Sequence, residues 1–328
     1  MKDYLQRYNG KTITVTGSSG YLGSVIVQHL KETSANILRI SRKSIKPIRG
    51  IETFIADIRD ESCWDHIVLN SDIIFHLSAN TCVYSANQNI AENLDSSLKP
   101  ITHLINVARK KGICPTIVFA STATVYGMTS KLPVTESEKL SPITIYDLHK
   151  LFAEQQLKYA TRKGIINAVS LRLANVYGPS LSASANLRRG VLNKIIRMAL
   201  EDKKIYVFGS GDYIRDYVYV DDVAKAFMLA GFEEKMHGLA LNIASGKGIS
   251  IYDVFNKVKE RVEIKIGGEV EIETTEGPKD IDPIETRSFV ADISRISSFG
   301  WSPKVNLNAG IDKMINSLIK NHNELEKL

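Results

Sequence analysis

Thr12-Ile13-Thr14-Val15-Thr16-Gly17-Ser18-Ser19-Gly20-Tyr21-Leu22-Gly23 decides how this chain folds. Five β-branched residues make a buried strand, and the segment from about Tyr21 to Thr33 has helical patterning. Between them the glycines have separate tasks. Gly17 permits a tight turn, Gly20 lets backbone approach a ligand, and Gly23 lets helix pack closely on strand. Free N–H groups at the helix start, reinforced by the macrodipole, form an anion site. In this strand–turn–helix context the expected anion is the pyrophosphate of a nicotinamide dinucleotide. Gly17, Ser19, Gly20, Tyr21, Leu22 and Gly23 are the residues expected to line it. The competing reading is a ligand-free turn.

Outward from this turn the pattern repeats. Apolar runs at Ile37–Ile40, Thr53–Ala56, Ile73–Leu77, Thr116–Ala120 and Val169–Leu173 read as strands. Long helical stretches are expected near 88–111 and 143–163. Apolar strands separated by helices are buried on both faces, which predicts an α/β fold with a doubly wound parallel sheet of Rossmann type. Beyond Asn175 the regularity weakens. Pro179 to Ala185 reads as a loop, with helices expected near 191–202 and 220–232 and a turn at Gly209–Asp212. The tail predicts a short strand from Val270, a loop around Pro278 and Pro283, and a helix after Asn308. With 328 residues the chain exceeds the roughly 250–300 that one core usually serves. Residues 1–178 are therefore assigned to the dinucleotide-binding domain. Residues 179–328 are assigned mainly to a smaller lobe, with segments returning to the sheet.

Composition removes several function classes. The chain is 44% hydrophobic and 24% charged, as in globular proteins. No apolar run approaches the ~20 residues that span a bilayer, and the first residues lack an apolar signal core. The expectation is a cytoplasmic protein without a membrane partner. Cys63, Cys82 and Cys114 lack metal-ligand spacing and read as free thiols, so no metal is expected. The net charge of +6 comes from scattered Lys and Arg rather than a basic tract. That pattern argues for small anionic partners and against nucleic acid.

The Gly-x-x-Gly-x-x-Gly spacing resembles the extended form of the short-chain dehydrogenase/reductase superfamily. In an NAD enzyme, an acid about 20 residues on would bind the adenosine ribose. The second strand instead ends Ile40-Ser41-Arg42-Lys43, with no carboxylate. By resemblance Ser41 stands at the acid's place, and Arg42 could pair with a 2′-phosphate, so NADP is favoured over NAD. Otherwise Arg42 and Lys43 are solvated loop charges. Asp57 and Ile58 resemble the family's adenine-contacting pair, and Asp57 alone could equally cap a turn. His76-Leu77-Ser78-Ala79-Asn80 resembles the motif lying along the cofactor. Leu77, Ser78 and Ala79 are thereby cofactor contacts and Asn80 a substrate contact; His76 itself reads as a core residue.

Tyr146-Asp147-Leu148-His149-Lys150 places a phenol and an ammonium on one helix face. A nearby cation lowers a phenol's pKa, which suits Tyr146 to proton transfer. Lys150 would also hold the nicotinamide ribose. Upstream, Ala120-Ser121-Thr122-Ala123-Thr124-Val125-Tyr126-Gly127 resembles the family's strand-five motif, and Thr122 falls at its catalytic Ser/Thr. Leu171 to Pro179 resembles a segment of nucleotide-sugar epimerases and dehydratases that brings Asn175 near the substrate. Arg215, opening Arg215-Asp216-Tyr217-Val218, would clamp a substrate diphosphate, with Arg287 as a second clamp. The implied substrate is a nucleotide-diphosphate sugar.

In the same family, 4,6-dehydratases carry Asp-Glu after the catalytic Ser/Thr; here Ala123 and Thr124 stand there. The residues for coupled 3,5-epimerisation are also missing. What remains is hydride chemistry at one carbon, C4. The missing acid and Arg42 favour 4-keto reduction with NADPH; the Ala-Thr-Val-Tyr-Gly stretch resembles 4-epimerases using bound NAD. A non-catalytic nucleotide-binding protein on this fold is the third reading. The two long helices resemble the family's dimer-forming pair, so a homodimer is expected.

Overall fold

The computed structural model describes residues 5–180, 190–277 and 280–325. The expected loop over 181–185 and the turn at Pro278 lie outside these residues. The central sheet contains β1 (Thr12–Thr16), β2 (Asn36–Ser41), β3 (Glu52–Ile55), β4 (Ile73–His76), β5 (Thr116–Thr122) and β6 (Asn167–Leu173). Beyond β7 (Asn175–Tyr177), β8 (Lys204–Phe208) and β9 (Ile214–Tyr219), the chain returns to it as β10 (Ala240–Ile243). The order is β3-β2-β1-β4-β5-β6-β10, and every pair is parallel. The chain leaves β1 to one side and comes back at β4 on the other. A crevice therefore opens between β1 and β4 at their carboxyl ends, where ligands of such sheets bind.

Helices cover both faces. On one side α1 (Tyr21–Leu30) packs Val25, Ile26 and Leu30 with Ile13, Val15 and Phe75; α8 (Val220–Ala230) adds Val223 and Phe227. On the other side lie α2 (Glu61–Leu69), α5 (Lys99–Lys111) and α6 (Ile145–Arg162), burying Trp64, Leu104 and Leu157 against Ile74, Ile117 and Phe119. The stretch expected as one helix over 88–111 is divided. After α3 (Val83–Gln88), Asn89 caps α4 (Ile90–Ser97) by accepting from Glu92 N–H. Then α5 begins afresh with Pro100 in its first turn. Proline lacks an N–H and is tolerated at a helix start, not inside one.

The remaining elements build a second core. It contains α7 (Val191–Glu201), α9 (Ile251–Ile266) and α11 (Leu307–Leu325), with β7, β8, β9, β11 (Gly248–Ser250) and β12 (Glu271–Thr275). A short α10 (Ser294–Ser297) packs beside β10. One small sheet runs β11-β9-β7 and another pairs β12 with β8. Helices α2 and α9 were not anticipated from the sequence. No helix among the described residues is long and apolar enough to cross a membrane.

Candidate active site

The glycine turn has the geometry its sequence demands. Gly17 has φ +67°, and a Cβ there would lie 2.9 Å from the backbone N of Ser78. The turn is thus pressed directly against the end of β4, across the crevice. Gly20 donates its N–H to the Gly17 carbonyl at 2.9 Å and precedes α1 without a side-chain cap. A Cβ on Gly23 would fall 2.2 Å from the Gly17 oxygen. The first N–H groups of a helix, here those beginning at Tyr21 and Leu22, have no carbonyl partner within the helix itself. These features fit a pyrophosphate. The Tyr21 phenol donates to the Gly178 carbonyl at 2.9 Å, tying the start of α1 to the end of β7. Ser19 and Leu22 are half-buried beside it.

Ser41 ends β2 and turns its hydroxyl to the Lys43 carbonyl at 2.8 Å. Arg42 is exposed and acts electrostatically on Asp57, just beyond β3. Asp57 is already paired: Arg59 reaches it at 2.5 Å and holds its carboxyl below the usual carboxylate range. Ile58 is buried and accepts from Trp64 Nε1 at 2.8 Å. From Asn36 to Ile51 the chain carries Arg39, Arg42, Lys43, Lys46 and Arg49 and no acid. Arg39 is buried and bound to Thr53 and the Lys46 carbonyl. That leaves exposed cations around the end of β2.

His76 is a core residue. It lies under Thr16 at 3.1 Å, stacks on Phe119, and burial pushes it down to about 3. Leu77 and Ser78 N–H groups both point to the Thr16 hydroxyl; Leu77, Ser78 and Ala79 are half-buried at the crevice. The Asn80 side chain is committed to the turn that opens α3, accepting from Cys82 N–H and donating to Ser85. Asn175 opens β7, opposite Tyr217 of β9.

Thr122 ends β5 and caps the short 3-10 turn Ala123–Tyr126, with its Oγ1 2.8 Å from Thr124 Oγ1. The Thr124 hydroxyl donates to Asp147, at the start of α6. This link brings Tyr146, the neighbour of Asp147, beside the end of β5. One turn later Lys150 is fully enclosed and donates to the Ala120 carbonyl at 2.7 Å, with its ammonium over the Phe119 ring at 4.5 Å. Burial lowers Lys150 to about 7. Beneath it, Glu154 pairs with Arg172 at 2.7 Å and accepts from Ser121, while Arg172 reaches the Tyr126 phenol at 3.0 Å. That buried network fixes α6 on β5 and β6.

Arg215 and Arg287 come together. Arg215 donates to the Arg287 carbonyl and, at 2.6 Å, to the Glu285 carbonyl. Arg287 donates to the Ile284 carbonyl at 3.1 Å, and its Nε has no hydrogen-bond partner among the described residues. Both guanidiniums are buried, and among the described residues neither is ion-paired with a carboxylate within 4 Å. Arg287 is lowered to about 10 by burial and then by Arg215. Arg287 also acts electrostatically on Asp147, so this pair shares the end of the fold that carries Thr122.

Two residues were missed by sequence reasoning. Asn87 accepts from Ile145 N–H and donates to Asp282 at 2.9 Å, holding the start of α6 beside the turn before Arg287. Asp147 is a buried acid one hydroxyl away from Thr122, though no second acid was expected nearby. Its only signal was its place beside Tyr146.

A dinucleotide crevice whose strand-end Thr122 is tied through Thr124 to the helix carrying Tyr146 and Lys150 is the architecture of an extended short-chain dehydrogenase/reductase. The chain belongs to the NAD dependent epimerase/dehydratase family, whose model matches residues 13–244. It is 29% identical to a putative UDP-glucose 4-epimerase of Methanocaldococcus jannaschii, covering 95% of this chain and 99% of that one. It is 27% identical to a dTDP-4-dehydro-6-deoxyglucose reductase of Escherichia coli, covering 95% and 98%. The UDP-glucose 4-epimerase of Thermotoga maritima, solved with UDP-glucose, superposes with a TM-score of 0.83 at 27% identity, covering 95% and 99%.

Proposed function

We propose that this enzyme moves a hydride at C4 of a nucleotide-diphosphate sugar, with reduction of a 4-keto sugar by NADPH as its reaction. The observation that carries the substrate class is the buried pair Arg215 and Arg287. Burying unpaired cations is costly, and a diphosphate would relieve both at once. The lobe beyond residue 178 would hold the nucleotide, and residues 1–178 the cofactor.

The α1 turn would hold the pyrophosphate on Tyr21, Leu22 and Gly23, with Ser19 beside it. Leu77, Ser78 and Ala79 would flank the nicotinamide half; Asp57 and Ile58 would flank the adenine. Bound nicotinamide supplies the hydride. Tyr146 gives its phenolic proton to the oxygen as the carbonyl becomes an alcohol, and Thr122 holds that oxygen by a hydrogen bond. The Lys150 ammonium favours the phenolate left behind and binds the ribose hydroxyls. Asn175 would contact the sugar. Asn80 reaches it only by giving up its turn.

The choice of NADPH rests on Ser41 and Arg42 and on the acid-free stretch around them. A second reading, 4-epimerisation with retained NAD, is favoured by Ala123-Thr124-Val125-Tyr126-Gly127 and by relatives named as 4-epimerases. A homodimer through α4 and α6 accompanies either reading, since Ile90, Leu94, Phe152 and Tyr159 are exposed there. The test is incubation with a panel of nucleotide sugars and their 4-keto forms, with NADPH and NADH in parallel. Steady NADPH loss with a keto sugar is expected. Sugar interconversion without net cofactor change would establish the epimerase instead, and no turnover of any member would overturn both.

A further inference from the structure

The buried acid behind the active-site threonines is not used by the mechanism above. Asp147 has no solvent exposure, and its path to the reacting oxygen runs through Thr124 and Thr122. Its carboxylate accepts the Thr124 hydroxyl, and Thr124 in turn lies 2.8 Å from the Thr122 hydroxyl. The Asp147 Oδ2 atom is buried without a hydrogen-bond partner among the described residues. Thr124 N–H also points to Thr122 Oγ1, at 3.2 Å.

A hydroxyl has one proton to give, and this limits how the row can be arranged. With Asp147 ionised, Thr124 spends its proton on the carboxylate. The Thr122–Thr124 contact then consumes the Thr122 proton, and Thr122 turns only lone pairs toward the crevice. That suits a substrate alcohol, which can donate. With Asp147 neutral, the acid donates to Thr124, Thr124 donates to Thr122, and the Thr122 proton is free. That suits a substrate carbonyl, which can only accept.

We propose that Asp147 is a positioning residue that acts through Thr124 to set whether Thr122 donates or accepts toward the reacting oxygen. This rests on the reading of Thr122 as the residue facing that oxygen. Burial raises the Asp147 carboxyl, against the nearby hydroxyls of Thr124 and Thr144 and the charge of Arg287. Arg287 is the charged group acting on it across the fold, and Tyr146 and Lys150 flank it along α6. β5 and the Ala123–Tyr126 turn contribute hydroxyls and no charged side chain. A diphosphate on Arg287 would weaken the influence that favours the carboxylate. Substrate binding would thereby move Thr122 toward its donor state.

The test is titration of the Asp147 carboxyl in the full chain by carbon NMR with labelled aspartate, assigned by Asp147→Asn. Thr124→Val removes a donor to the carboxylate and is expected to raise the midpoint by about one pH unit. Thr124→Ser should leave it near the wild-type value. Thr122→Val does not touch Asp147, yet it should also move the midpoint, and should add nothing on a Thr124→Val background. An unchanged midpoint in Thr122→Val, or equal shifts in Thr124→Val and Thr124→Ser, overturns the relay. With NADPH and dTDP-4-dehydro-6-deoxyglucose as probes, the pH profile of kcat should contain a step that Asp147→Asn and Thr124→Val lose and Thr124→Ser keeps. Identical profiles in Asp147→Asn and wild type also overturn it. Failure to turn over this keto sugar counts against the choice of sugar, and the titration still decides the relay.

Discussion

Gly23 shows how much one hydrogen atom decides. A methyl there would meet the Gly17 carbonyl at 2.2 Å, and neither a Cβ nor a backbone carbonyl can swing away. Gly23→Ala is expected to cost about 1–3 kcal/mol by urea unfolding and to weaken dinucleotide binding in titration. Lys150 makes a different prediction. Burial holds it near 7 in the folded chain, against the ordinary 10.5. Between those values the unfolded chain binds the extra proton, so this part of the stability rises with pH. Lys150→Met should therefore be more stable than wild type at pH 7. Its advantage should shrink by about 1.4 kcal/mol for each pH unit toward 10. Parallel pH–stability curves for the two proteins would contradict the burial argument. The glycine turn was legible because local spacing dictates its geometry. Asp147 was not, because a polar residue on a helix reads as surface until Thr124 is folded onto it.

At the scale of elements, α6 is the organising piece. Thr144 caps it by accepting from Asp147 N–H, and Glu154 locks it to Arg172 on β6. Arg172→Met strands a buried carboxylate and is expected to cost about 3–5 kcal/mol in urea unfolding. A loss below about 1 kcal/mol would show that the pair contributes little, as exposed pairs do. The opposite face of α6 is apolar and open at Phe152 and Tyr159, beside Ile90 and Leu94 of α4. Under the proposed homodimer, the wild type is expected to sediment as a dimer and Phe152→Glu as a monomer. The six sheet strands up to Leu173 were legible from their apolar runs. Helix α2 was not: it has only nine residues, and its buried Cys63, Trp64, Ile67 and Val68 are too few to establish a period. Helix α9 was readable from Val254, Phe255, Val258 and Val262 behind the cap Ser250 and was passed over, whereas the small sheets take their order from packing in the second core, which local pattern does not reveal. The break before α5 was readable at Pro100 and was passed over.

Over the whole molecule, the site exists because the chain reverses direction in the sheet. Gly17 and Ser78 meet at the crevice between β1 and β4, and β5 and α6 bring Thr122, Tyr146 and Lys150 to the same carboxyl edge. Arg215 and Arg287 come from distant parts of the chain, 72 residues apart, and the fold joins them through the Arg215 guanidinium on the Arg287 carbonyl. Their kinship was invisible in the sequence except through resemblance. The central claim is that these parts together move a hydride at C4 of a nucleotide sugar. Its most direct measurement is isotopic: reduced cofactor carrying deuterium at the nicotinamide C4 is supplied with a 4-keto nucleotide sugar, and the product is read by NMR and mass spectrometry. Deuterium at C4 of the sugar is predicted, with the rate falling about 10²–10⁴-fold in Tyr146→Phe. Deuterium absent from C4, or an undiminished rate in Tyr146→Phe, would contradict the account.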